Sequence, residues 1–520
     1  MTVMESPAHV GKDERQGDPG IPENGPVRLG AYHMPLGSSK AFWGWLTLNL
    51  STGPTSAMLF TYLPAAIQTV ANTIGRVPGS DEPCAVMGPI ACVVPFGSRE
   101  VDYLTYFLYL NSITRAVEAV ACIITSGIAD YSRFRKPLMM SAIYLFGTLS
   151  LPLAALTTPS LSTLHALSAL YCVSTVVMGV FMIIQASYIP MFMASVRGTP
   201  PDDPAETEPG RAEVSWAKGA KVSTWGMVMS NVGMVASVLV GVIIAHAQRN
   251  PAGASLNSYL LAMTVSGAVT ISIAVVGNFL LPNAPGITRP RDQSVISLPF
   301  RSCWGLVRSV SSHPEAFKFC AGWVLWDAAW FNFNPLLSSL FLETTGLDLA
   351  AGAFSVFTLL SIVAGCLGSL AWMYAFPRVS TPIKTWLYTF LGVNIFCVFW
   401  GCVGISARSA IGLKWPAEFW VIQVLFMSTN SALLSYNRVV FASFIPKGSE
   451  ALLSGLIFIL DLVTGWILPL IQGVIQDSTH NLRYSMLLSL GLMVASVPFF
   501  VWVRVEKGTK EAGKPLAGFA

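Results

Sequence analysis

The sequence predicts an all-α membrane protein, because its composition, the length of its apolar segments and the placement of its basic residues all favour that class. Of its 520 residues, 53% are hydrophobic and only 11% are charged. A soluble globular protein carries about 25% charged residues, so this chain has too few charges to cover a water-exposed surface. Lipid is therefore expected to be the solvent for much of the folded surface.

Twelve apolar segments are long enough to cross a bilayer, which requires about 20 mostly apolar residues in a helix. We predict two pseudo-symmetric six-helix bundles, at 41–282 and 315–505, joined by a cytosolic central loop at 283–314. Residues 1–40 form a cytosolic tail that is polar, rich in Gly and Pro and expected to be disordered, and residues 506–520 form a second cytosolic tail. The predicted spans are 42–70, 103–128, 137–157, 164–192, 222–246, 257–281, 317–342, 350–375, 385–405, 417–442, 452–474 and 484–504.

The basic residues test this arrangement, because cytosolic loops of membrane proteins carry an excess of Lys and Arg. With twelve spans and both termini in the cytosol, 23 basic residues fall on the cytosolic side and 6 on the other side. One missed span would invert every later loop and remove this asymmetry. The charge distribution therefore supports both the span count and cytosolic termini.

The loop after the second span, from Gly127 to Lys136, carries an acid followed by basic residues. Two groups of six spans around a long charged loop, with this motif, resemble the major facilitator superfamily, whose substrates bind near the midplane between the halves. The resemblance implies that Asp130 pairs with helix ends and basic groups of its own half and latches one face shut. The basic members of this gate motif are Arg133, Arg135 and Lys136. The alternative is a plain basic cluster that keeps the loop in the cytosol.

Ionisable residues inside predicted spans are costly in lipid and usually face a cavity, so they are candidates for the substrate or proton site. Arg115 and Glu118 stand three apart on the second span and could pair on one helix face. Asp327 lies in the seventh span and Asp461 in the eleventh. An acid could bind a substrate ammonium or carry a proton, and Arg115 could hold a carboxylate; alternatively, these residues only pair or pin helices. Amides accompany them at Asn111, Asn231, Asn332 and Asn430.

Other classes of function find no support in the sequence. Catalytic motifs such as GxSxG, HExxH and the P-loop are missing, and the six histidines are scattered, so we expect neither an enzyme nor a metal site or other cofactor. The net charge of +4 is small and gives no reason to expect a nucleic-acid partner. Cys84 and Cys92 share one polar loop; they are either free thiols or, if that loop faces an oxidising lumen, a disulfide.

The run RVVFASFIPKGSEA, from Arg438 to Ala451, resembles the autophagy-related vacuolar effluxer family, as do the residues around Asp130 and the stretch 187–190. The resemblance covers roughly 41–505. It implies a multi-pass protein of the vacuole membrane that exports amino acids, released by autophagic breakdown, to the cytosol. Leucine and other neutral amino acids are the implied substrates.

The expected mechanism is alternating access by a monomer in the lipid bilayer, with amino acids as substrates and protons as the candidate coupling ion. Two alternatives remain open. One is transport of another small solute. The other is a membrane factor without transport activity that aids the breakdown of autophagic vesicles.

Overall fold

A computed structural model of the chain provides the fold, with side chains. It describes residues 36, 38–79, 82, 84, 92–131, 134–194, 209–247, 256–284, 286, 297–345, 352–406, 408–465, 467–468, 471–472, 475, 479 and 481–514.

The described chain is built almost entirely of helices, in two groups that a shorter helix separates. The first half contains α1 (Ser39–Ile74), α2 (Tyr103–Ala129), α3 (Arg135–Ser150), α4 (Leu161–Ala194), α5 (Pro209–Ala247) and α6 (Leu256–Leu280). Helix α7 (Ser297–Arg308) lies between the halves. The second half contains α8 (Pro314–Thr345), α9 (Gly352–Ala375), α10 (Ile383–Val403), α11 (Pro416–Phe444), α12 (Glu450–Gly465) and α13 (Ser485–Trp502), and α14 (Val505–Glu511) follows it.

Nine of the helices in the described part of the chain are long and apolar enough to cross a membrane: α2–α6, α9–α11 and α13. Helices α1, α8 and α12 occupy the other predicted spans, but they fall outside those limits of length or composition. The prediction of a multi-pass helical protein is confirmed, and the count of twelve spans stays a prediction.

The two ends of the bundle differ. At one end, which we call the termini face, α1 begins, α2 ends at Ala129 just before Asp130, α12 begins at Glu450, and α14 lies close to the end of the described chain. At the other end, strands β1 (Val93–Phe96) and β2 (Arg99–Asp102) form an antiparallel hairpin. Cys84 and Cys92 form a disulfide beside this hairpin, with Cα atoms 5.9 Å apart. The structure thus selects the bridged alternative for these two cysteines.

Two elements extend beyond the predicted pattern. Helix α5 begins at Pro209, well before the predicted start of its span at 222, because the polar segment between them is rich in residues that favour helices outside lipid as well as inside it. The predicted central loop contains α7, a helix too short and too polar to span a bilayer. Both differences concern polar helical segments, which a search for apolar spans does not detect.

Small residues let α1 and α5 touch through their backbones. A Cβ atom added at Gly53 would lie 2.2 Å from the Ser230 carbonyl oxygen, and one at Gly233 would lie 2.5 Å from the Leu50 carbonyl oxygen. Such contacts between small residues are a common way for helices to associate in membranes. They pack α1 closely against α5 within the first half.

Candidate functional site

The first candidate site lies in the middle of α2, where Arg115 and Glu118 form an ion pair that we call the α2 pair. Nη1 of Arg115 donates a hydrogen bond to Oε2 of Glu118 at 2.8 Å, so the predicted pairing is confirmed. The Glu118 side chain is 3% exposed, whereas that of Arg115 keeps 20% of its surface accessible. A buried carboxylate is costly unless a partner compensates its charge, and Arg115 is that partner.

Glu118 is seated against α4 at a position where only glycine fits. A Cβ atom at Gly179 would lie 2.4 Å from Oε1 of Glu118 and 3.0 Å from Sγ of Cys122. The first distance is too short for a real methyl group, so the missing side chain at Gly179 creates the space that the carboxylate occupies. This contact could not be predicted from the sequence, because Gly179 lies in an unbroken apolar span.

Polar side chains continue along the interface between α2 and α4. Asn111 lies one helical turn before Arg115, and its Oδ1 accepts a hydrogen bond from the Tyr171 hydroxyl at 3.0 Å. Thr114 Oγ1 and Cys172 Sγ are 2.8 Å apart at the same level. The structure therefore brings Asn111, Arg115 and Glu118 together as one polar stripe within the first half.

The second half has its own acid–base pair inside the bundle. Asp327 on α8 is buried, and it interacts electrostatically with Arg438 on α11. Arg438 is one of the 23 basic residues that the charge count assigns to the cytosolic side, yet in the structure it lies within α11, before that helix ends at Phe444. Arg438 is thus a candidate site residue that the charge count concealed.

Three tryptophans flank Asp327 on α8. The indole N–H groups of Trp323, Trp326 and Trp330 are buried and have no acceptor among the described residues. A buried donor without an acceptor loses its hydrogen bond with water and gains nothing in exchange. This part of α8 therefore holds unused hydrogen-bonding capacity beside a charged pair.

The remaining predicted site residues are dispersed. Nδ2 of Asn332 donates to Ser489 at 2.7 Å, and Oδ1 of Asn430 accepts from Asn394 at 3.5 Å. Both contacts link helices within the second half. Asn231 differs because its Nδ2 contacts Sγ of Cys366 at 3.3 Å and so joins α5 to α9 across the halves. The side chain of Asp461 lies outside the described residues.

The gate motif forms a buried cluster with the other half, the latch cluster, consisting of Asp130, Arg135 and Glu450. Arg135 Nη2 donates to Oδ1 of Asp130, and to Oε2 of Glu450 at 3.2 Å. The Asp130 carboxylate also accepts the backbone N–H groups of Ala451 and Leu452, at 2.9 Å each. Asp130 therefore caps the N-terminus of α12, where the helix dipole favours a negative charge.

This arrangement corrects the expectation that Asp130 binds a helix end of its own half. Arg135 does belong to the first half, but the capped helix α12 belongs to the second. The same-half helix end is bound by Lys136 instead, whose Nζ donates to the carbonyls of Asn278 and Leu281 at the end of α6. Arg133 lies outside the described residues.

The latch cluster holds two carboxylates and one guanidinium out of water. Burial raises the pKa of Asp130 to about 6; Arg135 and the two backbone N–H groups act against this rise, and Glu450 adds to it. The cluster is therefore poised to take up a proton near neutral pH while it stays closed. Sequence reasoning missed Glu450, whose position before an apolar run identifies a helix start but not the partner of that helix.

Other contacts between the halves lie on the same side of the bundle. Ser435 on α11 is 3.0 Å from Thr224 and 3.2 Å from Ser223, hydroxyl to hydroxyl, both on α5. A Cβ atom at Gly455 would lie 2.5 Å from Cβ of Ser126, so α12 touches α2 just above the latch cluster. These contacts lie toward the termini face, and the Asn231–Cys366 contact joins the halves farther along α5.

The comparison with protein families gives one match over almost the whole chain. A family described as "Vacuole effluxer Atg22 like" matches residues 37–513. The Autophagy-related protein 22 of Candida albicans is 34% identical over 470 residues, which cover 90% of each chain. The protein of the same name from Candida glabrata is 23% identical over 508 residues, again covering 90% of each chain.

Solved structures resemble the fold. The major facilitator superfamily transporter FucP, in its outward conformation, aligns with a TM-score of 0.59 at 10% identity, covering 89% of this chain and 98% of its own. The human organic anion transporter MFSD10 aligns with a TM-score of 0.60 at 11% identity, covering 89% of this chain and 99% of its own. At such low identity the likeness establishes the major facilitator fold and no more.

Proposed function

The chain belongs to the Atg22-like vacuole effluxer family, and from that premise we propose that it exports neutral amino acids from the vacuole lumen to the cytosol by alternating access. Its family and fold make it a multi-pass membrane transporter associated with autophagy rather than an enzyme. The proposal adds the substrate, the direction and the compartment.

The observation that carries the proposal is the α2 pair. An amino acid is a zwitterion, with a carboxylate and an ammonium group a few ångströms apart. Arg115 and Glu118 present the complementary charges at a similar spacing, and Arg115 retains an accessible surface. A substrate can therefore exchange partners with the pair, its carboxylate binding Arg115 and its ammonium binding Glu118.

Partner exchange keeps every charge compensated throughout. Moving a single charge into the membrane interior costs several kcal/mol, at roughly 3 kcal/mol per residue on insertion scales. The pair already holds both charges before the substrate arrives, and the substrate brings one of each sign. Binding thus avoids the cost of an unpaired buried charge, and Asn111 and Tyr171 offer further polar contacts in the same stripe.

The orientation follows from the charge distribution. The cytosolic side of the predicted topology coincides with the termini face, and the disulfide lies at the opposite end, as expected for an oxidising lumen. The closed latch cluster then seals the cytosolic side. A state of this kind accepts substrate from the lumen and must open the latch cluster to release it.

Protons are the proposed coupling ion. The lumen of a vacuole is acidic, so protons that leave with the substrate run down their gradient. Glu118 and Asp327 are the buried acids that could carry them, since each lies in the bundle beside a base that compensates its charge. A monomer contains every group that this cycle requires.

Purified protein in liposomes tests the proposal. Uptake and release of labelled neutral amino acids are measured with and without an imposed pH gradient, against empty liposomes. We expect saturable flux that the gradient drives. If folded protein transports no amino acid but a wider screen finds flux of another class of solute, that class is the substrate. If no solute is transported, the result favours a role in vesicle breakdown without transport.

A further inference from the structure

Helix α7 carries two different faces, and only one of them packs against the protein. Leu298, Ser302 and Leu306 recur at helical spacing and are buried. The other face leaves Phe300 72% exposed and Trp304 59% exposed, one turn apart. Exposed aromatic residues of this size on a short helix need an explanation beyond packing.

Arginines accompany these aromatic residues on the exposed face. Arg301 and Arg308 are both exposed, and the Arg308 guanidinium lies over the Trp304 ring at 5.3 Å from its centroid. A helix with aromatic residues and arginines on its outer side is typical of a segment that lies in the interface of a bilayer. The arginines supply the charge that complements an anionic headgroup.

The position of α7 brings this face to the membrane surface. A Cβ atom at Gly127, in the last turn of α2, would lie 2.6 Å from Cα of Pro299, so α7 touches the end of a spanning helix. Ser302 lies beside the Tyr131 hydroxyl, immediately after that end. A helix attached at this level has the headgroup region of the surrounding leaflet as its nearest large surface.

We propose that α7 binds anionic phospholipids of the leaflet at the termini face, with Phe300 and Trp304 inserted among the headgroups and Arg301 and Arg308 on their phosphates. The buried face of α7 links this contact to the gate motif, because Tyr131 follows Asp130 directly. Anionic lipid then stabilises α7 and, through it, the closed latch cluster. This inference does not depend on which substrate is transported.

Hydrogen–deuterium exchange on the full-length protein in nanodiscs tests the inference. Discs contain phosphatidylcholine alone or mixed with phosphatidylserine, and the backbone exchange of α7 and of the peptide around Tyr131 is followed. With two arginines near the surface, we expect exchange of α7 to slow about tenfold when phosphatidylserine is present. The peptide around Tyr131 should slow in parallel.

Two variants and a control separate the sources of that effect. The double substitution Arg301→Gln/Arg308→Gln should abolish the response to phosphatidylserine, and Phe300→Ser/Trp304→Ser should speed up exchange of α7 in both kinds of disc. Arg378→Gln is the control, since Arg378 lies over an exposed Tyr374 at the start of another loop, 5.8 Å from the ring centroid, and it should leave α7 unchanged.

Two results would overturn the inference. One is equal exchange of α7 in both kinds of disc, which would mean that its exposed face does not sense lipid charge. The other is an equal slowing by soluble inorganic phosphate in discs of phosphatidylcholine alone, which would make α7 a site for free phosphate.

Discussion

The molecule contains two buried acid–base clusters built from the same chemistry but connected differently. The α2 pair joins two residues of one helix, three positions apart. The latch cluster joins Asp130 and Arg135 of the first half to Glu450 and the start of α12 in the second. The α2 pair can change its partners without any movement of the two halves, whereas the latch cluster cannot break unless the halves separate.

This difference assigns them different tasks. A ligand shifts a conformational equilibrium only by its different affinity for the two states. The latch cluster exists only when the termini face is closed, so its free energy contributes to the equilibrium between closed and open states. The α2 pair lies within one helix, so it contributes to ligand affinity instead. Substitutions in the α2 pair should therefore weaken substrate binding, whereas substitutions in the latch cluster should shift the equilibrium between the closed and open states.

The largest expected effect follows from neutralising the acid of the α2 pair. Glu118→Gln removes the group that would hold the substrate ammonium and leaves Arg115 without its partner. A charge-assisted hydrogen bond in a buried site is worth about 3 kcal/mol, so uptake in liposomes should fall roughly 100-fold at low substrate concentration. Glu118→Asp keeps the charge and should retain part of the activity.

Uptake by Glu118→Gln at the wild-type rate would remove the α2 pair from the substrate site. If the rate is unchanged but the response to a pH gradient is lost, Glu118 would carry the proton only. Asp327→Asn is measured in parallel, because Asp327 is the corresponding acid of the second half.

The next effect concerns the latch cluster. Asp130→Asn replaces one carboxylate oxygen that accepts a backbone N–H at the start of α12 by an NH2 group, which cannot accept, whereas protonation leaves both oxygens in place. A buried donor that loses its acceptor costs about 2 kcal/mol. The closed state should lose most of that amount relative to the open state, and faster hydrogen exchange at the start of α12 would report it. Turnover should fall about tenfold or more, with substrate affinity nearly unchanged.

Glu315→Gln is the matched control for this substitution. Glu315 is also a buried carboxylate at the termini face, and it accepts the backbone N–H of Arg504 at 2.8 Å near the start of α14. Both partners belong to the C-terminal part of the chain, so its loss should affect stability but leave the equilibrium between the halves unchanged. Equal opening in both variants would contradict the assignment of the latch cluster.

A smaller effect is expected from Gly179→Ala. The added methyl group would overlap Oε1 of Glu118, so the carboxylate must turn away from Arg115. We expect KM to rise roughly tenfold, because about 1.4 kcal/mol of misplacement corresponds to that factor. Gly392→Ala is the control, since a Cβ atom at that position in α10 meets no other atom within 4 Å. Equal KM values for the two variants would contradict the role of Gly179 in placing the Glu118 carboxylate.

The smallest effect is that of pH on the latch cluster. The pKa of Asp130 is about 6 in the closed state, above the ordinary value of about 4 that solvent would restore on opening. Because the closed state binds the proton more tightly, lowering the pH from about 7.5 to about 5 should favour closure roughly tenfold. Hydrogen exchange at α12 measures this shift, and Asp130→Asn should lack it. If acidification opened the latch cluster instead, the predicted direction of the pH effect would be wrong.

The sequence predicted the membrane-spanning elements well where hydrophobic length determines them. The predicted second span, 103–128, matches α2 to within one residue. It also identified Arg115, Glu118 and Asp130, because charges in or beside apolar runs are conspicuous. Helix α7 and the early start of α5 were missed, since both are polar segments that a search for apolar spans does not detect.

The partners of these charges were predictable only within one helix. Spacing places Glu118 on the same face as Arg115, and that prediction is confirmed. Spacing does not say that Glu118 rests on Gly179, that Arg438 faces Asp327, or that Glu450 completes the latch cluster. Those contacts depend on how helices distant in sequence are arranged, which one sequence does not contain.

Equilibrium binding tests most directly whether the α2 pair, and not the latch cluster, determines the affinity for substrate. A labelled amino acid that gives saturable flux is titrated onto purified wild type, Glu118→Gln and Asp130→Asn in nanodiscs. We expect Asp130→Asn to bind within a few-fold of wild type, despite its slow turnover, and Glu118→Gln to lose binding roughly 100-fold. Retained binding by Glu118→Gln together with lost binding by Asp130→Asn would contradict the account.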